Sequence, residues 1–178
     1  IEYLSHINAD TELGEKIVIE ATENTNERKE LYDRITIALP ESLVYTSSDL
    51  KVDSYSYNNN NGTDKFVGFG YNCNYVHTGR TCSEIEFTQE IKKSVDLWNS
   101  MNALPTRISE VQIGKYNGYE IYRESPSDSR SHVKNYIMWV DGYQIEFFIS
   151  YFNNVNPDIL EAAYNDAMQA IASVEKIK

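Results

Sequence analysis

The chain has 178 residues, a formal net charge of −11 and 41% hydrophobic residues. That length suits one domain with its own core, and that apolar fraction excludes global disorder. The charge repels phosphate backbones and anionic membrane surfaces, so no nucleic-acid partner is expected, and no run approaches the roughly 20 apolar residues that span a bilayer.

Residues 1–30 read as an N-terminal extension or linker, with Ile17-Val18-Ile19 as one short strand and Ala21–Lys29 as a polar loop. Because the chain opens on Ile1 rather than Met, an upstream leader is expected to have been removed, and a lipid anchor there would be the only expected tie to a membrane. Residues 31–178 are expected to form a single α+β domain. Tyr32–Pro40 alternates, with Ile35, Ile37 and Leu39 against Arg34, Thr36 and Ala38, which predicts a half-buried strand ended by Pro40. Lys51–Tyr57 and Lys65–Tyr71 predict a hairpin around the polar tip Asn58–Asp64. Within that tip, Asn61-Gly62-Thr63 matches a glycosylation acceptor pattern.

Cys73 and Cys82 are the only two cysteines, with Gly79 available as a turn between them. A disulfide is the first reading; it would add on the order of 2–3 kcal/mol and would point to an oxidising compartment. Free structural thiols are the second. His77 lies between the cysteines, but Cys73, His77 and Cys82 do not match a zinc spacing, and no further pair supplies a fourth ligand. A catalytic thiol would need a base, and His77 is the nearest candidate. No metal and no cofactor is expected.

Glu84 and Glu86 alternate as if on one face of a strand, with Glu90 beyond them. Two carboxylates about 5–10 Å apart can serve glycoside hydrolysis; the plainer reading is a solvated strand face, and cation binding is a third. Thr88 is expected to cap a helix reaching about Asn102, with Ile91, Val95 and Trp98 facing the core. Val111–Tyr116 and Tyr119–Glu124 flank Asn117-Gly118, and Val133–Val140 and Tyr143–Tyr151 flank Asp141-Gly142; both dipeptides predict type I′ hairpin turns. Ile137 and Trp139 are expected to share a buried layer with Tyr143, Ile145, Phe147 and Ile149. Ser125–Ser131 reads as polar and exposed. The chain closes with a helix capped by Asn156, with Pro157 at its first position. Its stripe of Leu160, Tyr164, Ala167, Ile171 and Val174 is narrowed by Ala163 and Ala170.

Three segments together resemble the PsbP-like fold family. They are Tyr32–Pro40, a strand ending in Leu-Pro; the Gly114–Glu124 hairpin; and Asp141-Gly142-Tyr143 feeding a strand, a loop and an Ala-rich helix that ends in Ala172-Ser173-Val174. The resemblance covers roughly residues 31–178 and leaves the Cys73–Cys82 loop and the first thirty residues unmatched. It implies an antiparallel sheet built from hairpins with helices packed on its faces, an α/β/α sandwich. It also implies a non-catalytic role in assembly or partner binding, as in the extrinsic subunit of the oxygen-evolving complex and in bacterial lipoprotein domains of this kind.

The residues themselves carry no nucleophile elbow, phosphate loop or metal-binding repeat, and His6, His77 and His132 are scattered. The expectation is a monomeric, non-catalytic binding or assembly module of the cell envelope. It would be extracytoplasmic, secreted or anchored on the outer face of the membrane, with a protein or a cell-wall component as partner. The expected binding surface is Tyr55, Tyr57, Tyr71 and Tyr75 with Glu84 and Glu86, because tyrosine offers area and a polar tip at modest entropy cost. The plainer reading of the fourteen tyrosines is that they populate sheets. The alternative function is a carboxylate-dependent hydrolase acting on cell-wall saccharide.

Overall fold

A computed structural model describes residues 2–3, 12–19, 35–49, 52–58, 63–74, 82–101, 106–123 and 130–177. In chain order the elements are β1 (Glu2–Tyr3), β2 (Leu13–Val18), β3 (Ile35–Pro40), β4 (Leu43–Asp49), β5 (Val52–Asn58) and β6 (Thr63–Asn74). Then follow α1 (Glu84–Met101), β7 (Thr106–Ile113), β8 (Tyr116–Arg123), β9 (Ser131–Val140), β10 (Tyr143–Phe152), α2 (Pro157–Ala172) and β11 (Glu175–Lys176). Among the described residues, eight strands form one sheet in the order β1-β7-β8-β9-β10-β6-β5-β4, and three form another in the order β11-β3-β2. Every pairing is antiparallel except that of β1 with β7. Antiparallel sheets with a helix on each face of the larger one are the α+β arrangement that the sequence led us to expect.

The period of two in the long strands builds both faces at once. On β9, Tyr136, Met138 and Val140 join Tyr143, Ile145, Phe147 and Ile149 of β10 in the main core. That core is closed by Ala163, Ala167, Ala170 and Ile171 of α2 and by Ile35 and Ile37 of β3. The alternate residues Ile137 and Trp139 point the other way. They pack with Tyr119, Ile121 and Ile108 beneath Phe87, Ile91 and Val95 of α1. Ile137 and Trp139 were expected on the Tyr143 side. The two-residue turn pairs Tyr143 with Val140, and residues paired across a ladder share a face, which puts the odd positions of β9 on the α1 side.

The Asp141-Gly142 turn is as expected, with both residues at positive φ (48° and 97°), as type I′ requires. The Asn117-Gly118 turn is not. The chain reverses three residues earlier at Gly114-Lys115, where Gly114 takes φ 59°, and Gly118 sits mid-strand between Val111 and Met138. A Cβ on Gly118 would come within 2.4 Å of the Ile137 carbonyl oxygen, so close strand approach explains this glycine rather than turn geometry. The hairpin is also longer than expected, since β7 begins at Thr106.

β3 was expected to be half-buried and is buried on both faces, including Thr36 and Ala38. It is the middle strand of its sheet, and Ser173 at the end of α2 closes over Ala38. Ile19 lies in the main core and β2 pairs with β3, so residues before position 31 contribute to the packing. β4 was not anticipated; it is an edge strand with a register shift between Tyr45 and Ser47, which blurs its alternation. The β5–β6 hairpin forms as expected but closes tighter, with Asn58 paired to Thr63. Asn61 and Gly62 of the glycosylation pattern, and most of the Ser125–Ser131 segment, lie outside the described residues.

Candidate functional site

Helix α1 starts where the backbone can be capped. Ser83 and Glu86 form a reciprocal capping box. The Ser83 backbone N–H donates to the Glu86 carboxylate at 2.8 Å, and the Glu86 N–H donates to Ser83 Oγ at 3.3 Å. Glu84 and Glu86 therefore lie in the first turn of a helix, not on one face of a strand, and Thr88 is inside the helix rather than its cap. Acidic residues suit that end of the helix dipole.

Both ends of α1 are tied to the sheet. The Cys82 N–H donates to the Gly142 carbonyl at 3.0 Å, and Trp139 Nε1 donates to the Cys82 carbonyl at 3.0 Å. At the other end the Asn99 side chain accepts the Thr106 N–H at 2.7 Å and donates back to its carbonyl at 3.4 Å. Between these anchors Phe87 lies against Tyr119 with ring centroids 5.8 Å apart. Burying Phe87, Ile91 and Val95 stabilises the docking by roughly 1.5–3 kcal/mol per side chain.

A groove of about 510 Å³ opens between the first half of α1 and the β7–β8 hairpin. Glu84, Ile85, Thr88 and Gln89 line it from the helix, and Glu110, Asn117 and Tyr119 line it from the hairpin, with Phe87, Val111 and Gly118 completing the wall. Two hydrogen bonds cross it. Asn117 Nδ2 donates to Glu84 Oε1 at 3.1 Å, and the Tyr119 hydroxyl donates to Thr88 Oγ1 at 3.2 Å. Asn117 is free to do this because it belongs to a strand and not to the expected turn. The groove thus combines two carboxylates, neutral amide and hydroxyl groups, and an apolar body on elements pinned at both ends.

Of the expected binding surface, Glu84 lies in this groove and Glu86 serves the cap. Tyr55, Tyr57 and Tyr71 do not form a recognition surface. Tyr55, Tyr57 and Tyr71 are 7%, 8% and 3% exposed and belong to the main core. The Tyr55 and Tyr71 hydroxyls meet there at 3.3 Å, and burial raises the pKa of both phenols. β5 and β6 are interior strands of the sheet, so their inward positions are covered. Tyr75 lies outside the described residues.

The expected Cys73–Cys82 bridge is not formed here. Cys82 is a free, buried thiol, and the Cys73 side chain lies outside the described residues. Burial pushes the Cys82 thiol up, and the negative charge of Glu86 pushes it further, so the thiolate needed for nucleophilic work is disfavoured. The carboxylates singled out for hydrolysis each have a local partner. Glu84 accepts from Asn117, Glu86 from Ser83, and Glu90 pairs with Lys93 at 2.9 Å. This placement lends the hydrolase reading no support. His132 stacks on Tyr151 and contacts Asn153, away from these acids, and His6 and His77 lie outside the described residues. Among the described residues no group of three or more His, Cys, Asp or Glu gathers as a metal site, and no helix is long and apolar enough to cross a membrane.

Gln89, Glu110, Asn117 and Tyr119 were not expected as site residues from sequence. The usable signal was Ser83-Glu84-Ile85-Glu86, a capping-box pattern that starts the helix at Glu84 and turns Ile85, Thr88 and Gln89 toward the hairpin.

Fold and site together define an α+β domain with a partly acidic groove between a docked helix and a hairpin. No family model matches the chain, and no curated protein matches it in sequence. Solved structures do match. A crystal structure from Bacteroides thetaiotaomicron VPI-5482 is similar over 93% of this chain, with a TM-score of 0.55 and 10% identity. The chain spans only about half of that structure's length, 49%. The solution structure of cyanobacterial PsbP (CyanoP) from Synechocystis sp. PCC 6803 aligns over 80% of this chain and 86% of its own, with a TM-score of 0.49 and 10% identity. At such identity the likeness is one of fold.

Proposed function

We propose that the chain is a non-catalytic binding or assembly module that works outside the cytoplasm, in the cell envelope, and engages its partner through the α1–hairpin groove. One observation carries the site: a groove large enough for a ligand, lined by polar side chains whose supporting helix is tied to the sheet at Cys82 and at Asn99. Concave sites on rigid elements are where small ligands and partner side chains are held. The partner is a protein or a cell-wall component, and the domain acts as a monomer. The extracytoplasmic placement rests on the PsbP-like resemblance, and the free Cys82 thiol removes a disulfide from its support.

Thermal unfolding against divalent cations, cell-wall saccharides and muropeptides tests this reading. A ligand at about 100 times its dissociation constant adds ~2.7 kcal/mol, which shifts the midpoint of a chain this size by several degrees. Gln89→Trp, which fills the groove from the exposed side of α1, should remove the shift. A ligand that stabilises this variant as well as the wild type would take the groove out of the reading.

A further inference from the structure

Among the described residues, the charged groups that line the groove are Glu84 and Glu110, and no Lys, Arg or His stands with them. Glu84 is fixed by the first turn of α1, where the positive helix end offsets part of its charge, and by the Asn117 amide. Glu110 comes from β7, directly across the ladder from Tyr119, and a strand carries no such dipole. At the rim Ile85 is 71% exposed, an apolar side chain with nothing packed on most of it. Thr88, Gln89 and Asn117 add neutral hydrogen-bonding groups.

We propose that the groove accepts a lysine or arginine side chain from an extended segment of a protein partner; this rests on the reading that the groove is the partner site. A long basic side chain matches both parts of the lining. Its aliphatic stem lies along apolar surface such as Ile85, and its cationic head reaches the two carboxylates. The volume, about 510 Å³, leaves room for the residues flanking it. An anionic ligand would face two carboxylates with no cation beside them among the described residues. A bare divalent ion is less well matched, because no group of three metal-ligating side chains gathers among the described residues. The net charge of −11 acts in the same direction at long range and speeds encounter with a basic partner.

The test uses the full chain and three blocked tripeptides at millimolar concentration in low salt: Ala-Lys-Ala, the same peptide with norleucine in place of lysine, and Ala-Glu-Ala. Binding is followed by backbone amide chemical shifts. The lysine peptide should move the amides of Thr88, Gln89, Asn117 and Tyr119, and the other two should not. Glu84→Gln and Glu110→Gln should each weaken it about 1.5- to 5-fold, the range for an exposed ion pair. Glu161→Gln, which makes the same charge change on an exposed position of α2, should leave it unaltered. If norleucine binds in the groove as well as lysine, cation selectivity is wrong while the groove reading survives. Groove amides unmoved by the lysine peptide overturn the inference. The groove reading falls with it only if Gln89→Trp also fails to block the ligand found by thermal unfolding.

Discussion

Tyr164 reaches from α2 into the main core with its ring beside Tyr151, centroids 6.3 Å apart, and under the Lys134 ammonium, 5.3 Å from its centroid. Its hydroxyl is buried without a hydrogen-bond partner. A buried polar group left unpaired costs about 1–3 kcal/mol, and removing it keeps the ring contacts. Tyr164→Phe should therefore raise the urea midpoint by the equivalent of about 1 kcal/mol. A loss of that size instead would mean that the hydroxyl has a partner worth more than its desolvation. The same scale shows why single residues misled the sequence reading. Asn-Gly is the strongest short hairpin signal, yet Gly114, three residues upstream of Asn117, supplies the positive φ, and Gly118 answers to the crowding of Ile137.

Among the elements, the junction between α2 and β3 depends on one side chain. Ser173 follows the last residue of α2. Its Oγ accepts the Ala38 N–H at 2.9 Å and can donate to the Ala38 carbonyl at 3.1 Å or to the Ala170 carbonyl at 2.6 Å. β11 is only two residues long, so Ser173 continues the pairing of β3 beyond the strand's reach. Ser173→Ala leaves the Ala38 amide unpaired in a buried strand and should cost about 2–3 kcal/mol in urea unfolding, while Ser173→Thr should recover most of it. A cost under about 0.5 kcal/mol, typical of a surface change, would refute this role. Elements with a strong local signal were legible in sequence. The closing helix had Asn156, whose side chain accepts the Asp158 N–H at 2.8 Å, and Pro157. The β9–β10 hairpin had Asp141-Gly142. β4 had neither cap nor clean alternation, and the cap of α1 was expected at Thr88, five residues after Ser83, because Glu84 and Glu86 satisfy a strand period as well as a helix start.

Across the whole molecule, the eight-stranded sheet buries aromatic side chains on the α2 side. Tyr55 stacks on Tyr71 with centroids 6.0 Å apart, and Phe69 stacks on Phe147 at 6.2 Å. This packing gives an alkaline limit to stability. Burial first, then the neighbouring phenol and Asp53, raises Tyr71 above the ordinary value of 10.0; burial raises Tyr55, against the opposing hydrogen bond from Tyr71. Above pH 10 the unfolded chain releases these protons and the folded chain keeps them. The unfolded state then binds fewer protons, and stability falls as pH rises, by up to about 1.4 kcal/mol per pH unit for each phenol held neutral. Below the unfolded value the contribution is fully present. Urea unfolding from roughly pH 9 to 11 should show this decline, and Tyr55→Phe with Tyr71→Phe should flatten it. An unchanged slope in the double variant would place the alkaline sensitivity elsewhere.

By itself the sequence determined the α+β class, the hairpins, the closing helix and the general acidity, because each depends on local periodicity, caps and turn residues or on composition. Tertiary structure decided the rest. Which face of β9 meets which helix follows from ladder register, the burial of Tyr55, Tyr57 and Tyr71 from strand order, and the free Cys82 thiol from a backbone held against Gly142 and Trp139. The groove depends on α1 docking beside a hairpin whose Asn117 lies 33 positions after Glu84. No local pattern encodes that separation, and only packing of the two elements brings their side chains together.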